Sequence, residues 1–121
     1  MARKVPAGRR LRTEMDAALE RARVEAAEPN LQWDEREADA LERACATADR
    51  ADVLRGVFDA EQAGECRPAV LAKVSAELRA LDRQVVDLLA RLNPGVGVAK
   101  SERHQRAAQY RWDSKQLRSV R

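Results

Sequence analysis

The stretch 71–92 reads LAKVSAELRALDRQVVDLLARL, and within it Leu71, Val74, Leu78, Leu81, Val85, Leu88 and Leu92 recur at spacings of 3, 4, 3, 4, 3 and 4. That alternation keeps large aliphatic side chains on one stripe of an α-helix and forms a heptad seam. Leu89 and Val86 widen the stripe, and Pro68 suits a first helical turn, so a helix is predicted over about 68–92. Upstream, Gly64-Glu65-Cys66-Arg67-Pro68 is too short a break to do anything but reverse the chain, which makes the preceding helix an antiparallel neighbour.

That preceding helix is predicted over about 34–63. Asp34 can cap it, and Glu37 stands where a capping box requires an acid. Leu41, Cys45 and Ala48 mark one face, flanked by Ala38, Ala44 and Ala51, whose small side chains let another helix come close. Beyond Gly56 the stripe drifts to Leu54, Val57 and Phe58. Further back, Leu11, Met15, Ala18, Leu19 and Ala22 keep helical spacing up to the break at Glu28-Pro29-Asn30, giving an N-terminal helix over about 9–27.

The composition agrees. One Phe, one Tyr and two Trp in 121 residues are too few for a strand-built core, while Ala, Leu, Arg and Glu are helix formers. The expected fold is all-α: an antiparallel hairpin with an N-terminal helix and basic tails, oligomerising because one hairpin buries too little to be stable alone. The expected organisation is a basic arm at 1–8, a helical oligomerisation domain at 9–93 and a basic, flexible tail at 94–121.

Charge is distributed unevenly behind a net of +3. Residues 1–13 hold five basic groups and no acid, residues 14–66 are net −9, and residues 100–121 hold seven basic groups against two acids. Basic ends flanking an acidic body suit a polyanion at the ends and protein partners along the body. Lys100, Arg103, Arg106, Arg111, Lys115, Arg118 and Arg121 lie in the tail with Tyr110 and Trp112 among them and no apolar stripe for these rings to join. Such cations neutralise phosphates, and the rings can stack on bases. Arg9, Arg10 and Arg12 of the arm are the secondary candidates for the same contact.

Catalytic chemistry is not expected. The chain has no Walker A loop and no GxGxxG, and Gly95-Val96-Gly97 reads as a turn. Its serines lack a plausible base, since His104 sits in the tail, and acidic pairs such as Asp49 with Asp52 are ordinary on an acidic helix. One histidine and two separated thiols make no zinc site, so neither metal nor cofactor is expected. Cys45 reads as a small core residue and Cys66 as a turn residue. No apolar run follows Met1-Ala2-Arg3-Lys4, so neither a secretory signal nor a membrane span is expected, and two cysteines are no disulfide framework; the expected compartment is a cytoplasm. Asp52 falls on the face marked by Leu41, Cys45 and Ala48. A reversal near Cys66 would set it opposite Arg79, with Asp49 opposite Arg83, so a structural ion pair Asp52–Arg79 is expected.

Four phrases then bring a family into view. Ala7-Gly8-Arg9-Arg10-Leu11 resembles the AGRRLW-like opening of small terminase subunits from actinobacterial phages and prophages. Leu41-Glu42-Arg43-Ala44-Cys45-Ala46-Thr47-Ala48-Asp49-Arg50 is similar to their LEEACRTADR-like helix. Arg67-Pro68-Ala69-Val70 and the helix closing on Leu88-Leu89-Ala90-Arg91-Leu92 resemble their HPAV…LLARL segment, and Arg106-Ala107-Ala108-Gln109-Tyr110-Arg111-Trp112 resembles their RAAxxRW close. The phrases keep the family's order over most of residues 7–112, with Arg12 where the family often has Trp and Arg67 where it often has His. The resemblance implies a ring-forming, non-catalytic subunit that binds double-stranded viral DNA and delivers it to a large terminase subunit carrying the ATPase and nuclease. Two other readings stand beside it: a helical scaffold or adaptor acting through the seam without DNA, and a small transcriptional regulator, for which no helix-turn-helix is evident.

Overall fold

The structure, a computed structural model, describes residues 4–93. They form helices α1 (Ala7–Ala26), α2 (Glu35–Ala63) and α3 (Pro68–Leu89), with no strand among the described residues. The all-α hairpin with an N-terminal helix is therefore as expected, with shifted ends. α1 starts at Ala7, inside the predicted arm, because Pro6 fixes an extended residue whose carbonyl accepts from the Arg10 N–H at 3.1 Å. α3 stops at Leu89, after which the Arg91 and Leu92 N–H groups reach back only three residues, to Leu88 and Leu89. Leu92 is buried even so, and the seam runs to its predicted end.

Each boundary has a local cause. α1 ends on Ala27 in the left-handed region at φ 55°, with Ala27 and Glu28 N–H groups bonded to the Val24 and Arg23 carbonyls, a Schellman closure made without glycine. α2 begins with the predicted capping box: Asp34 Oδ1 accepts from the Glu37 N–H at 2.7 Å, and Glu37 Oε1 accepts from the Asp34 N–H at 3.1 Å. The turn into α3 is held by the Cys66 N–H on the Glu61 carbonyl at 2.7 Å and by Arg67, whose Nε and Nη2 both reach the Glu61 carboxylate, at 2.7 and 2.6 Å.

α2 is the middle element. It packs along α3 on one side and against α1 on the other, while α1 and α3 do not adjoin. Its covered positions accordingly form two stripes. Positions 37, 40, 44, 47, 51, 54, 58 and 61 repeat at alternating spacings of 3 and 4 and are buried or half-buried throughout. Hydrogen bonds at both ends, Glu37 to Asn93 and Glu61 to Arg67, show that this stripe faces α3. Ala40, Ala44, Thr47 and Ala51 are its middle, so the α3 leucines and valines meet a flat strip of small side chains. The second stripe, Leu41 and Cys45, lies under α1: the α1 residues Leu11 and Met15 pack on the cluster that contains them, and Leu88 and Leu92 close that cluster from the α3 side. Leu19, Ala22 and Leu31 form a smaller cluster beyond the start of α2, and Trp33 touches both.

The predicted interhelical face of α2 thus needs correction. Leu41 and Cys45 look toward α1, and α3 is met by the alanine strip about 100° round the helix. The expected Asp52–Arg79 pair is not formed either: Asp52 is half-buried, Arg79 is exposed, and the hairpin is instead crossed by Arg55 and Asp82, Nη2 to Oδ1 at 2.7 Å. In the heptad of α3 Asp82 follows a seam leucine at the flanking position that pairs across helices, whereas Arg79 and Arg83 lie further round on the outer side.

Candidate nucleic-acid interface

The basic arm enters the structure as the first turns of α1. Arg9, Arg10 and Arg12 are all exposed, and none makes an ion pair among the described residues. This end of α1 has no side-chain cap of its own and no acid in its first turn. The missing acceptor comes from α2: Asp49 Oδ1 takes the Gly8 N–H at 2.8 Å, across 41 residues of sequence. Glycine is required there. A Cβ on Gly8 would lie 2.5 Å from the Cys45 carbonyl oxygen and 2.7 Å from Asp49 Oδ2, so any larger residue would push α1 off its seat. Asp49, expected from the sequence to partner Arg83, is the N-terminal cap of a different helix.

Beneath this seat lies Cys45. Burial pushes its thiol above the ordinary range, with Asp49 and Asp16 acting in the same direction and Arg12 opposing them. A buried thiol biased toward its neutral form is a packing residue. Cys66 is exposed, in the turn, at φ 51°. Among the described residues no group of His, Cys, Asp or Glu side chains is arranged to hold a metal ion, and no helix is long and apolar enough to cross a membrane.

The root of the tail is held by the same helix. Glu37, only 1% exposed, uses Oε1 in the capping box and Oε2 to accept the Asn93 N–H at 2.7 Å, across 56 residues. α2 therefore grips both basic ends where they join the body, each time with a carboxylate on a main-chain N–H. The capping box predicted Glu37 at the helix start. Its second bond and its burial had no signal, because Asn93 stands in a proline-glycine break that names no partner. The tail candidates Lys100, Arg103, Arg106, Tyr110, Arg111, Trp112, Lys115, Arg118 and Arg121 lie outside the described residues, as does His104.

The seam residues divide. Leu88 and Leu92 are buried, whereas Leu71, Val74, Leu78, Leu81 and Val85 are only half-buried. α1 reaches along α2 as far as Asp49, and past that level the hairpin is two helices thick. Val53 (68% exposed) and Val57 (45%) of α2 lie on this two-helix part, and Val86 of α3 is 64% exposed. Compared with protein-family models, with curated proteins and with solved structures, the chain matches none.

Proposed function

We propose that this chain is a small terminase subunit: a non-catalytic component of a phage DNA-packaging motor that binds double-stranded DNA and passes it to a large ATPase/nuclease subunit, in the host cytoplasm. The observation that carries the reading is the division of the hairpin at the level of Asp49. There, midway along α2, the docked helix α1 begins with three exposed arginines, none in an ion pair with the described residues. From that level to the turn the leucine-valine seam has no third helix over it, as a protein that both holds DNA and joins copies of itself in a ring requires. The ordered phrases from Ala7 to Trp112 support the same assignment. Contacts are mainly to phosphates, with the tail as the principal site and the arginines of α1 as the second, and modest affinity per subunit is multiplied by the ring.

The test is duplex binding by the full chain and by a chain cut after Val98, each at two salt concentrations, with sedimentation of both. Truncation should leave the oligomer intact and lower affinity strongly. If about four phosphates are engaged, log K should fall against log salt with a slope near −3.6, from ~0.9 per contact. A folded monomer at micromolar concentration removes the ring, and binding without salt dependence removes the phosphate mechanism. The half-covered seam also favours a second reading, a helical adaptor without DNA; an oligomer that ignores duplex at every salt concentration would select it.

A further inference from the structure

We propose that Asp49 is a positioning residue for phosphate contact: by capping α1 from α2, it presents Arg9, Arg10 and Arg12 to a duplex on a docked helix rather than on a loose arm. This rests on the DNA reading above and adds a residue that touches no phosphate.

Three arginines within the first two turns of α1 oppose the positive end of the helix dipole, and the first turn contains no acid to offset them. A helix so charged frays from that end unless something outside it intervenes. Asp49 does, through the Gly8 N–H at 2.8 Å. The seat is narrow as well as bonded, since the Cys45 carbonyl and the Asp49 carboxylate fill the space a side chain at Gly8 would need. Glu14 and Asp16 follow within one further turn, yet no ion pair ties any of the three guanidinium groups to the described body. The Gly8 amide is already used, so an incoming anion is met by the guanidinium groups, whose forked donors suit phosphate oxygens. Holding their helix in place beforehand lowers the ordering cost of that contact.

The sign of one substitution separates this role from simple charge. Asp49→Ala removes a carboxylate and makes the protein more positive, so electrostatics alone predicts tighter binding to DNA. The positioning role predicts weaker binding. Fluorescence anisotropy of a short mixed-sequence duplex with the full chain, at two salt concentrations, reads both. Asp49→Ala should lose about ten-fold in affinity at moderate salt and flatten the salt slope by about 1 to 2, at ~0.9 for each phosphate no longer engaged. Asp49→Asn keeps an oxygen acceptor for Gly8 and should restore the wild-type slope. Replacing Arg9, Arg10 and Arg12 together by Gln should flatten the slope as Asp49→Ala does, and adding Asp49→Ala to that triple variant should cost nothing further.

Wild-type or tighter binding by Asp49→Ala with an unchanged slope overturns the proposal, as does an additive loss in the combined variant. Should Asp49→Ala lose helix content by circular dichroism, the triple arginine variant decides, since those side chains are exposed; a wild-type slope there also overturns it. A wild-type chain that binds no duplex fails at an earlier step and takes the DNA reading with it.

Discussion

The two halves of the hairpin are built from the same two helices and differ in what lies over them. In the half nearest the start of α2, α1 adds a third layer, and Ala40, Leu41, Ala44, Cys45, Leu88 and Leu92 are buried. In the half nearest the turn, Leu54 and Phe58 face Leu71, Val74, Leu78 and Leu81, and all six are half-buried. The chemistry of the second half is the more apolar of the two, so its exposure comes from missing cover and not from weaker side chains. That partly covered seam is the surface on which the proposed oligomer would be built.

The largest effect should separate the halves outright. Leu41→Ala, at a position 1% exposed, should cost about 2–5 kcal/mol in chemical denaturation at any protein concentration. Leu78→Ala, at a less completely buried position, should cost less in dilute protein, about 1–2 kcal/mol, with the penalty growing as concentration rises if the seam holds the proposed oligomer together. Equal and concentration-independent losses would mean that the two halves are equally finished within one chain.

A middle-sized effect tests how the covered half is closed. Glu37→Ala strands the Asp34 and Asn93 N–H groups and should cost about 1–3 kcal/mol, with amide exchange at Asn93 accelerating first. A change below about 0.5 kcal/mol would show that water replaces the carboxylate freely.

The smallest effect concerns the ion pair. Arg55 and Asp82 are each about half-exposed, so Arg55→Ala should cost no more than about 1 kcal/mol, and Asp52→Ala, with no ion pair among the described residues, about 0.5 kcal/mol or less. A loss of several kcal/mol at Asp52 would restore the cross-hairpin pair inferred from sequence.

These contrasts also mark what the sequence could tell. The α3 seam is legible because its residues are large, apolar and regularly spaced, and the α2 start is legible because Asp34 and Glu37 can bond only one way at that spacing. The side of α2 that meets α3 is not. Alanine occupies positions 38, 40, 44, 46, 48 and 51, so it marks no face, and the eye follows Leu41 and Cys45, which belong to α1. Choosing that face puts Asp52 into the interface and sends Asp49 to Arg83. The candidate site is hidden for another reason. Gly8, Asp49, Glu37 and Asn93 meet through main-chain N–H groups, and nearly every residue has one of those. Arg67 likewise looks idle as a departure from the family phrase, yet it fastens the turn through Glu61.

The bond between Glu37 and Asn93 also has a consequence for synthesis. The two residues are 56 apart, so at about 5–20 residues per second the ribosome delays Asn93 by roughly 3–11 s after Glu37. During that interval α1 and the front of α2 already exist, and Leu11 and Met15 can settle on Leu41 and Cys45. The alanine strip meanwhile waits for α3 with a carboxylate at its head. Burying a polar group without donors is costly, so Glu37 disfavours a wrong apolar cover, and its second oxygen finds its donor only once the Asn93 N–H has been made.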